Sequence, residues 1–406
     1  MAVERLALGD PAQVAAQVRA LAPAAESVSA AVAEIVADVR ARGDAALSEY
    51  VERFDRVEGS LTVPAHELAD ALAAMAADVR AGLEVAIANV GAVAQAGLSR
   101  DATVTLPEGQ TVTLREVPVR RAAIYVPGGR APYPSTVVMG VVTARAAGVD
   151  EVLVCAPGSH PVILAACALC GADAVFRMGG AHAVAALAYG TETVPRADVV
   201  AGPGNLYVQE AKRVVSGDVG IDGFAGPSDV LVLATAGADP RLVALDLAAQ
   251  AEHGEGTIVC AVSDDAALLD SIALDPGDAA AALVHAPDVE AALAFAEAFA
   301  PEHLELVGEA AEALAPRVRS AGCVFVGREG ATAFGDYVAG SNHTLPTGGA
   351  ARFASGLNVR HFRRRVSEVR IGPAAGALAR AGAPIARAEG FEVHAASMEV
   401  RENGAP

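Results

Sequence analysis

From Arg121 the chain repeats one unit: a short apolar strand, a glycine turn and a helix. AAIYVPGG leads into STVVMGVVTARAAG, EVLVCAPG into PVILAACALCGA, AVFRMGG into AHAVAALAYGT, and DVVAGPGN into LYVQEAKRVVSG. Strands that are apolar throughout are buried on both faces, and strands separated by helices pair in parallel. The stretch predicts an α/β fold whose parallel sheet is covered by helices on both sides. In such sheets ligands bind beyond the carboxyl ends of the strands, where these turns fall. Tyr125, Gly128-Gly129, Gly179-Gly180 and Gly202-Pro203-Gly204-Asn205 are expected to line that edge. None is a GxGxxG fingerprint, and no acidic residue closes the second strand. Pattern alone therefore gives only weak support to a nucleotide or another small anion.

Residues 225–256, AGPSDVLVLATAGADPRLVALDLAAQAEHGEG, open a second series. A small polar turn containing Ser228 and Asp229 leads into an apolar strand and then a helix. That helix carries Asp239 as N-cap, Pro240 at its first position and Gly254 just past its end. Leu242, Leu245 and Ala249 are expected to mark its buried side. Gln250 and His253, three apart in the last turn, project side by side. They read either as two arms of a metal site or as a capping histidine beside a surface glutamine. Further on, Glu302 and His303 follow Pro301 at the start of an apolar strand, as acid/base groups at a sheet edge or as surface decoration. A long passage rich in Gly, Ser and Thr holds Asp336 and His343. The tail carries arginines 363–365, then Glu389 and His394 on either side of Gly390, read as a strand or a turn.

Ahead of Arg121, residues 1 to 100 are helical in pattern and offer packing without chemistry. ATVTLPEGQTVTLREVPV then alternates with period two as a polar hairpin. At 406 residues the chain is too long for one simple core. A formal charge of −19 argues against nucleic acid as a partner. The five cysteines lie in apolar runs, and the Cys167/Cys170 CxxC has no second pair beside it, so buried thiols and a reducing, cytoplasmic setting are expected. No signal peptide or uncharged span of membrane length is read. Lys212 is the only lysine, taken as a mark of base composition.

Gln250, His253, Glu302, His303, Asp336, His343, Glu389 and His394 form a set of nitrogen and oxygen groups without thiolates, suited to one divalent ion such as zinc beside a substrate. Spacing does not show that they converge. In the passages YVPGG, GPGN followed by YVQEAKR, AGPSD, QAEHG, PEHLEL, GDYVAGSNHTLPTGG and EGFEVH, in this order, the chain resembles the histidinol dehydrogenase family over nearly its whole length.

The resemblance implies a zinc-dependent oxidation of L-histidinol through the aldehyde to L-histidine with two NAD. It implies Gln250, His253, Asp336 and His394 as zinc ligands and Glu302 and His303 as the acid/base pair. Ser228, His343 and Glu389 would hold substrate together with the zinc ligands and His303, while Tyr125 and Asn205 would contact NAD. His182 stands where the family usually has a cofactor-contacting glutamine, so weaker NAD binding that depends on pH between about 6 and 7 is expected. The implied architecture is two Rossmann-like parallel-sheet domains with a helical N-terminal extension and a small C-terminal segment, in an intertwined homodimer. The expected divisions are 1–20 for the extension, 21–122 and 229–358 for domain one, 123–228 for the NAD-edge domain, and 359–406 completing the partner's site. Alternatives are a paralogous zinc/NAD dehydrogenase of a sulfonated or other small alcohol, a zinc hydrolase, and a non-catalytic binding protein on the same scaffold.

Overall fold

The strand–turn–helix units build two separate parallel sheets. The computed structural model describes residues 3–22, 27–57, 59–128, 131–158, 160–224 and 226–402; Gly129 and Ala225 lie outside these. One unit comprises residues up to Gly97 and Val119–Phe362, and the other Leu98–Pro118 with Arg363 onward.

In the first unit, the strands Arg121–Tyr125, Glu151–Cys155, Ala174–Phe176, Val199–Ala201 and Gly220–Ile221 form a five-stranded sheet. Every pairing in it is parallel. Numbered along the chain, the spatial order is 3-2-1-4-5, the doubly wound arrangement in which the connections diverge on either side of the first strand. The strands Asp229–Ala234, Ile258–Ser263, Ala280–His285, His303–Val307 and Cys323–Val326 repeat that order in a second parallel sheet. The two α/β sheets expected from the sequence are both present.

Val3–Ala7 adds a sixth strand to the second sheet, parallel to Ala280–His285. The helical reading of the N-terminus did not include it, because a half-exposed VERLA edge strand has no buried alternation to betray it. The helices that follow divide between the sheets. Pro11–Arg19 packs on Val289–Phe299 over the second sheet, and Val14, Ala15 and Val18 enter its core. Ser29–Arg42 places Val32, Val36 and Val39 against the first sheet's helices Gly180–Tyr189 and Leu206–Val215.

The helix Pro240–Ala251 has the predicted punctuation: the Asp239 side chain accepts the Arg241 N–H at 3.0 Å, and Gly254 adopts φ +90°. Its buried face differs from the expected one. Val243, Leu247 and Gln250 point inward, whereas Ala249 is exposed and Leu245 is 64% exposed. Apolar residues occur all round this helix, so two stripes satisfied the period and only packing chose between them.

The second unit is an antiparallel three-stranded sheet joined to two helices. The hairpin Ala102–Thr105/Thr111–Pro118 takes Arg363–Arg370 as its third strand. Helices Ala375–Ala388 and Glu392–Glu399 pack through Ala383, Ala386, Ala395 and Met398. The segment read as strand or turn is a turn at Glu389-Gly390, with Gly390 at φ +82°, between two helices, the second of which carries His394. The alanine-rich run before Gly390 favours helix. All five cysteines are free, and burial pushes the thiols of Cys155, Cys167 and Cys260 up, so they are inert packing groups. Among the described residues no helix is long and apolar enough to cross a membrane.

Candidate active site

Two neighbouring parallel strands begin with the chemistry. Asp229–Ala234 and His303–Val307 pair with Val230 beside His303, so Ser228 and Asp229 sit next to Glu302 and His303 at the amino edge of the sheet. The helix Pro240–Ala251 runs back along its strand and returns Gln250 and His253 to that same edge. The negative end of a helix dipole there favours a cation.

The backbone locks this corner reciprocally. Glu302 N donates to Asp229 Oδ1 at 2.7 Å, and Asp229 N donates to Glu302 Oε2 at 3.0 Å. Glu302 Oε2 also accepts the Ser228 hydroxyl at 2.5 Å, and Ser228 Oγ in turn accepts Gln250 Nε2 at 2.5 Å. With its amide nitrogen engaged, Gln250 has its amide oxygen left as a free acceptor.

Burial sets the protonation states. Glu302 is 6% exposed; desolvation, helped by the nearby Asp229 carboxylate, holds its pKa well above the ordinary carboxylate value. His303 is 3% exposed, and desolvation lowers its pKa, so its imidazole is neutral near pH 7. Its Nδ1 faces the Asp229 carbonyl at 3.4 Å, and its Nε2 lies 3.8 Å from Asp336 Oδ1. A proton on Nδ1 leaves Nε2 as the basic atom.

Asp336 comes from the short helix Thr332–Tyr337 inside the long passage read as aperiodic. Its carboxylate acts on His253, His303 and His343 alike, partly offsetting the desolvation that lowers all three pKa values. His343 accompanies it: Nδ1 donates to the Asp336 carbonyl at 2.9 Å, and Nε2 meets Thr136 Oγ1 at 3.3 Å. Thr136 lies on the helix Pro134–Ala146, which follows the first strand of the other sheet. The structure thus gathers Ser228, Gln250, His253, Glu302, His303, Asp336 and His343 in one unit. Glu389 and His394 belong to the second unit, where both are exposed.

The predicted cofactor edge lies at the carboxyl ends of the first sheet. Tyr125 is buried and its hydroxyl accepts the Gly180 N–H at 3.0 Å. Asn205 caps the helix Leu206–Val215 through Tyr207 N and Val208 N at 3.1 and 3.2 Å. A cleft of about 280 Å³ opens beside the strand ends, lined by Pro127, Gly128, Pro157, His160 and Leu164 among others, a size that suits one planar ring of a dinucleotide. His182 is 2% exposed and lies beneath the Gly179-Gly180 turn. Its Nε2 sits 2.9 Å from Asp55 Oδ2, the same oxygen that accepts Gly179 N at 3.0 Å, and its ring stacks with Tyr50 and Phe54.

Three participants escaped the sequence reading. Asp229, 1% exposed, is ion-paired with Arg19 Nη1 at 3.2 Å, and Arg19 stacks over the Phe299 ring at 4.0 Å and donates to the Phe299 carbonyl. Asp229 looked like a turn residue, and Arg19 lies 210 positions away. The signal available was an acidic residue directly preceding an all-apolar strand. The third is Glu305, 1% exposed in mid-strand. It accepts Thr332 N at 2.9 Å, at the start of the Asp336 helix, and faces Asp246 on the Gln250 helix.

Burial beside Asp246 pushes the Glu305 pKa from its ordinary 4.5 up to about 8. The folded protein holds this proton where the unfolded chain has lost it, so stability falls as pH rises from about 4.5 through about 8. Glu305→Gln lacks that titration. Its stability relative to the parent is expected to improve by about 3 kcal/mol between pH 5 and 8, read from urea unfolding at each pH. A constant difference would show that Glu305 does not hold the proton.

The histidinol dehydrogenase family profile matches residues 21–402. The histidinol dehydrogenase of Rhizobium meliloti is 42% identical over 93% of this chain and 93% of its own length. That of Ruegeria pomeroyi is 43% identical over 92% of each. The crystal structure of histidinol dehydrogenase from Elizabethkingia anophelis superposes with a TM-score of 0.91 at 29% identity, covering 98% of both chains. An acetylating aldehyde dehydrogenase from Geobacillus thermoglucosidasius shares the fold at a TM-score of 0.50 and 14% identity. With a buried Glu-His pair at the amino edge of the second sheet, a cleft at the carboxyl edge of the first and relatives matching over nine-tenths of their length, the chain belongs to the histidinol dehydrogenase family, and with it to the NAD-dependent oxidoreductases.

Proposed function

We propose that the chain oxidises L-histidinol to L-histidine in two steps through L-histidinaldehyde, using one zinc per subunit and two NAD. The observation that carries this reading is the Glu302–His303 pair, two buried acid/base groups joined to Asp229 and facing Asp336. Alcohol oxidation needs a neutral base near pH 7, which the desolvated His303 provides through Nε2. The aldehyde must gain water before a second oxidation, and Glu302 takes the proton from that water. Its raised pKa makes the ionised form a stronger base than a surface carboxylate.

The donor set fits zinc. Gln250, His253 and Asp336 offer amide oxygen, imidazole and carboxylate at a helix C-terminus, and partial desolvation keeps His253 in the neutral form that ligates. His394 of the partner subunit would supply the fourth donor, and Glu389 of the partner subunit would meet the substrate amine, which makes a homodimer the active species. Bound zinc would orient the substrate's imidazole and amine so that the reacting carbon faces the nicotinamide, chiefly a positioning role. Ser228 and His343 complete the substrate contacts, while Tyr125, Asn205 and the buried His182 shape the NAD edge. A cytoplasmic enzyme acting on a small molecule, with neither nucleic acid nor membrane as partner, is consistent with the acidic charge.

The test is NADH formed per L-histidinol consumed, before and after zinc removal. Two NADH per substrate, abolished by chelation and restored by zinc, is the expected result. One NADH would mean an alcohol dehydrogenase that stops at the aldehyde. Absence of NADH with L-histidinol but formation with sulfonated alcohols would transfer the chain to a paralogous activity, and ester or amide cleavage without NADH would make it a hydrolase.

A further inference from the structure

The one lysine in this sequence is buried. Lys212 is 1% exposed on the helix Leu206–Val215, whereas its neighbour Arg213 is exposed. Among 30 basic side chains it alone is not arginine, so base composition explains the arginines but not the exception. Its Nζ donates to the Gly202 carbonyl at 3.1 Å and is ion-paired with Asp222. The other oxygen of Asp222 accepts the Gly202 N–H at 2.7 Å. Both polar backbone groups of Gly202 are thus held by the two members of one ion pair.

Gly202 is the first residue of the turn that leads to Asn205. It adopts φ +125°, and a Cβ there would collide with the Tyr125 carbonyl oxygen. Clamping Gly202 therefore fixes the main chain of Tyr125 on one side and the Asn205 cap on the other. We propose that the buried Lys212–Asp222 pair is a positioning device for NAD, holding the turn at 202–205 and the Tyr125 backbone in the shape the dinucleotide requires. This rests on the reading of that edge as the NAD site.

The residue types fit the task. An ammonium is a compact donor that can serve one carbonyl and one carboxylate at a single point. A guanidinium is larger and planar, with five donors where the Gly202 carbonyl and Asp222 offer partners for two. The pair carries no net charge, so its effect on NAD is geometric rather than an attraction to pyrophosphate. An ion pair that only stabilised the fold would affect NAD and L-histidinol alike or neither.

Lys212→Arg and Asp222→Asn are compared with the parent enzyme by steady-state kinetics, with thermal midpoint and dimer mass as folding checks. Expected is a rise of about tenfold in KM for NAD, with KM for L-histidinol within about twofold and a smaller change in kcat. An unchanged KM for NAD in a folded variant, or equal rises for both substrates, would overturn the proposal. Should both variants fail to fold, the parent protein supplies the second measurement. Labelling with ¹⁵N-lysine gives one side-chain ammonium resonance, which must shift as NAD is added and remain in place with L-histidinol alone. NADH formation with a silent resonance would sink this proposal only. A silent resonance with no NADH formed would sink the NAD reading as well.

Discussion

Glu302→Gln is expected to leave alcohol oxidation within about tenfold of the parent and to slow aldehyde oxidation by about 10²–10³-fold. Glutamine fills the same volume, and its amide oxygen can still accept from Ser228 and from Asp229 N, so the corner keeps its packing and hydrogen bonds. What disappears is a group able to accept a proton. The first oxidation does not need it, because His303 is neutral and has Nε2 available. The second does, since water must be deprotonated as it adds to the carbonyl. Rapid mixing of the variant with L-histidinol and NAD should show a burst of one NADH per site followed by a slow second phase. In the parent, the base form of Glu302 accumulates only through its raised pKa, so aldehyde oxidation should climb with pH beyond the ordinary carboxylate range. Equal loss of both phases in the variant would mean that Glu302 serves the two steps alike.

The parts of this molecule that sequence could reveal are those with a local period or local punctuation. Apolar strands ending in glycine announced the first parallel sheet, the family resemblance implied the second, and Asp239-Pro240 announced the start of the helix that carries Gln250 and leads to His253 just past its end. The partners that tune the site lie elsewhere in the chain. Asp229 meets Arg19, Asp246 meets Glu305, and Lys212 meets Asp222, and in each case a charged residue reads locally as turn, helix surface or composition. Glu305 is the clearest case. In LEL it looks like the solvent-facing residue of an alternating strand, yet a central parallel strand has no solvent face. The second unit escaped for a related reason: a hairpin and a tail some 250 residues apart pair into one sheet, which no local window can detect. The amino-edge position of Glu302 and His303 likewise runs against the habit of seeking ligands at carboxyl ends. It follows from the return of the Gln250 helix to the start of its own strand.

Arg19→Ala should cost about 3 kcal/mol of stability, because it leaves the Asp229 carboxylate buried without its cation. The loss should depend on pH. Burial already raises the Asp229 pKa above 3.8, and Arg19 acts against that rise. Without Arg19 the folded-state value climbs further, so the native variant binds a proton that the unfolded chain has released. Stability then falls as pH rises above the unfolded value, and the variant should be closest to the parent at acidic pH and furthest from it near pH 8. Urea unfolding at one fixed protein concentration at pH 5 and pH 8 reads this difference, since the midpoint of the proposed dimer would move with concentration. Adding Asp229→Asn to Arg19→Ala removes the stranded charge while keeping an oxygen for Glu302 N, so the double variant should recover most of the loss at pH 8. It should also lower the Glu302 pKa, since the neighbouring Asp229 carboxylate helps to raise it, and so move aldehyde oxidation toward lower pH. A destabilisation equal at both pH values, or undiminished by the second substitution, would mean that Arg19 acts through its stacking on Phe299 rather than through the carboxylate beside Glu302 and His303.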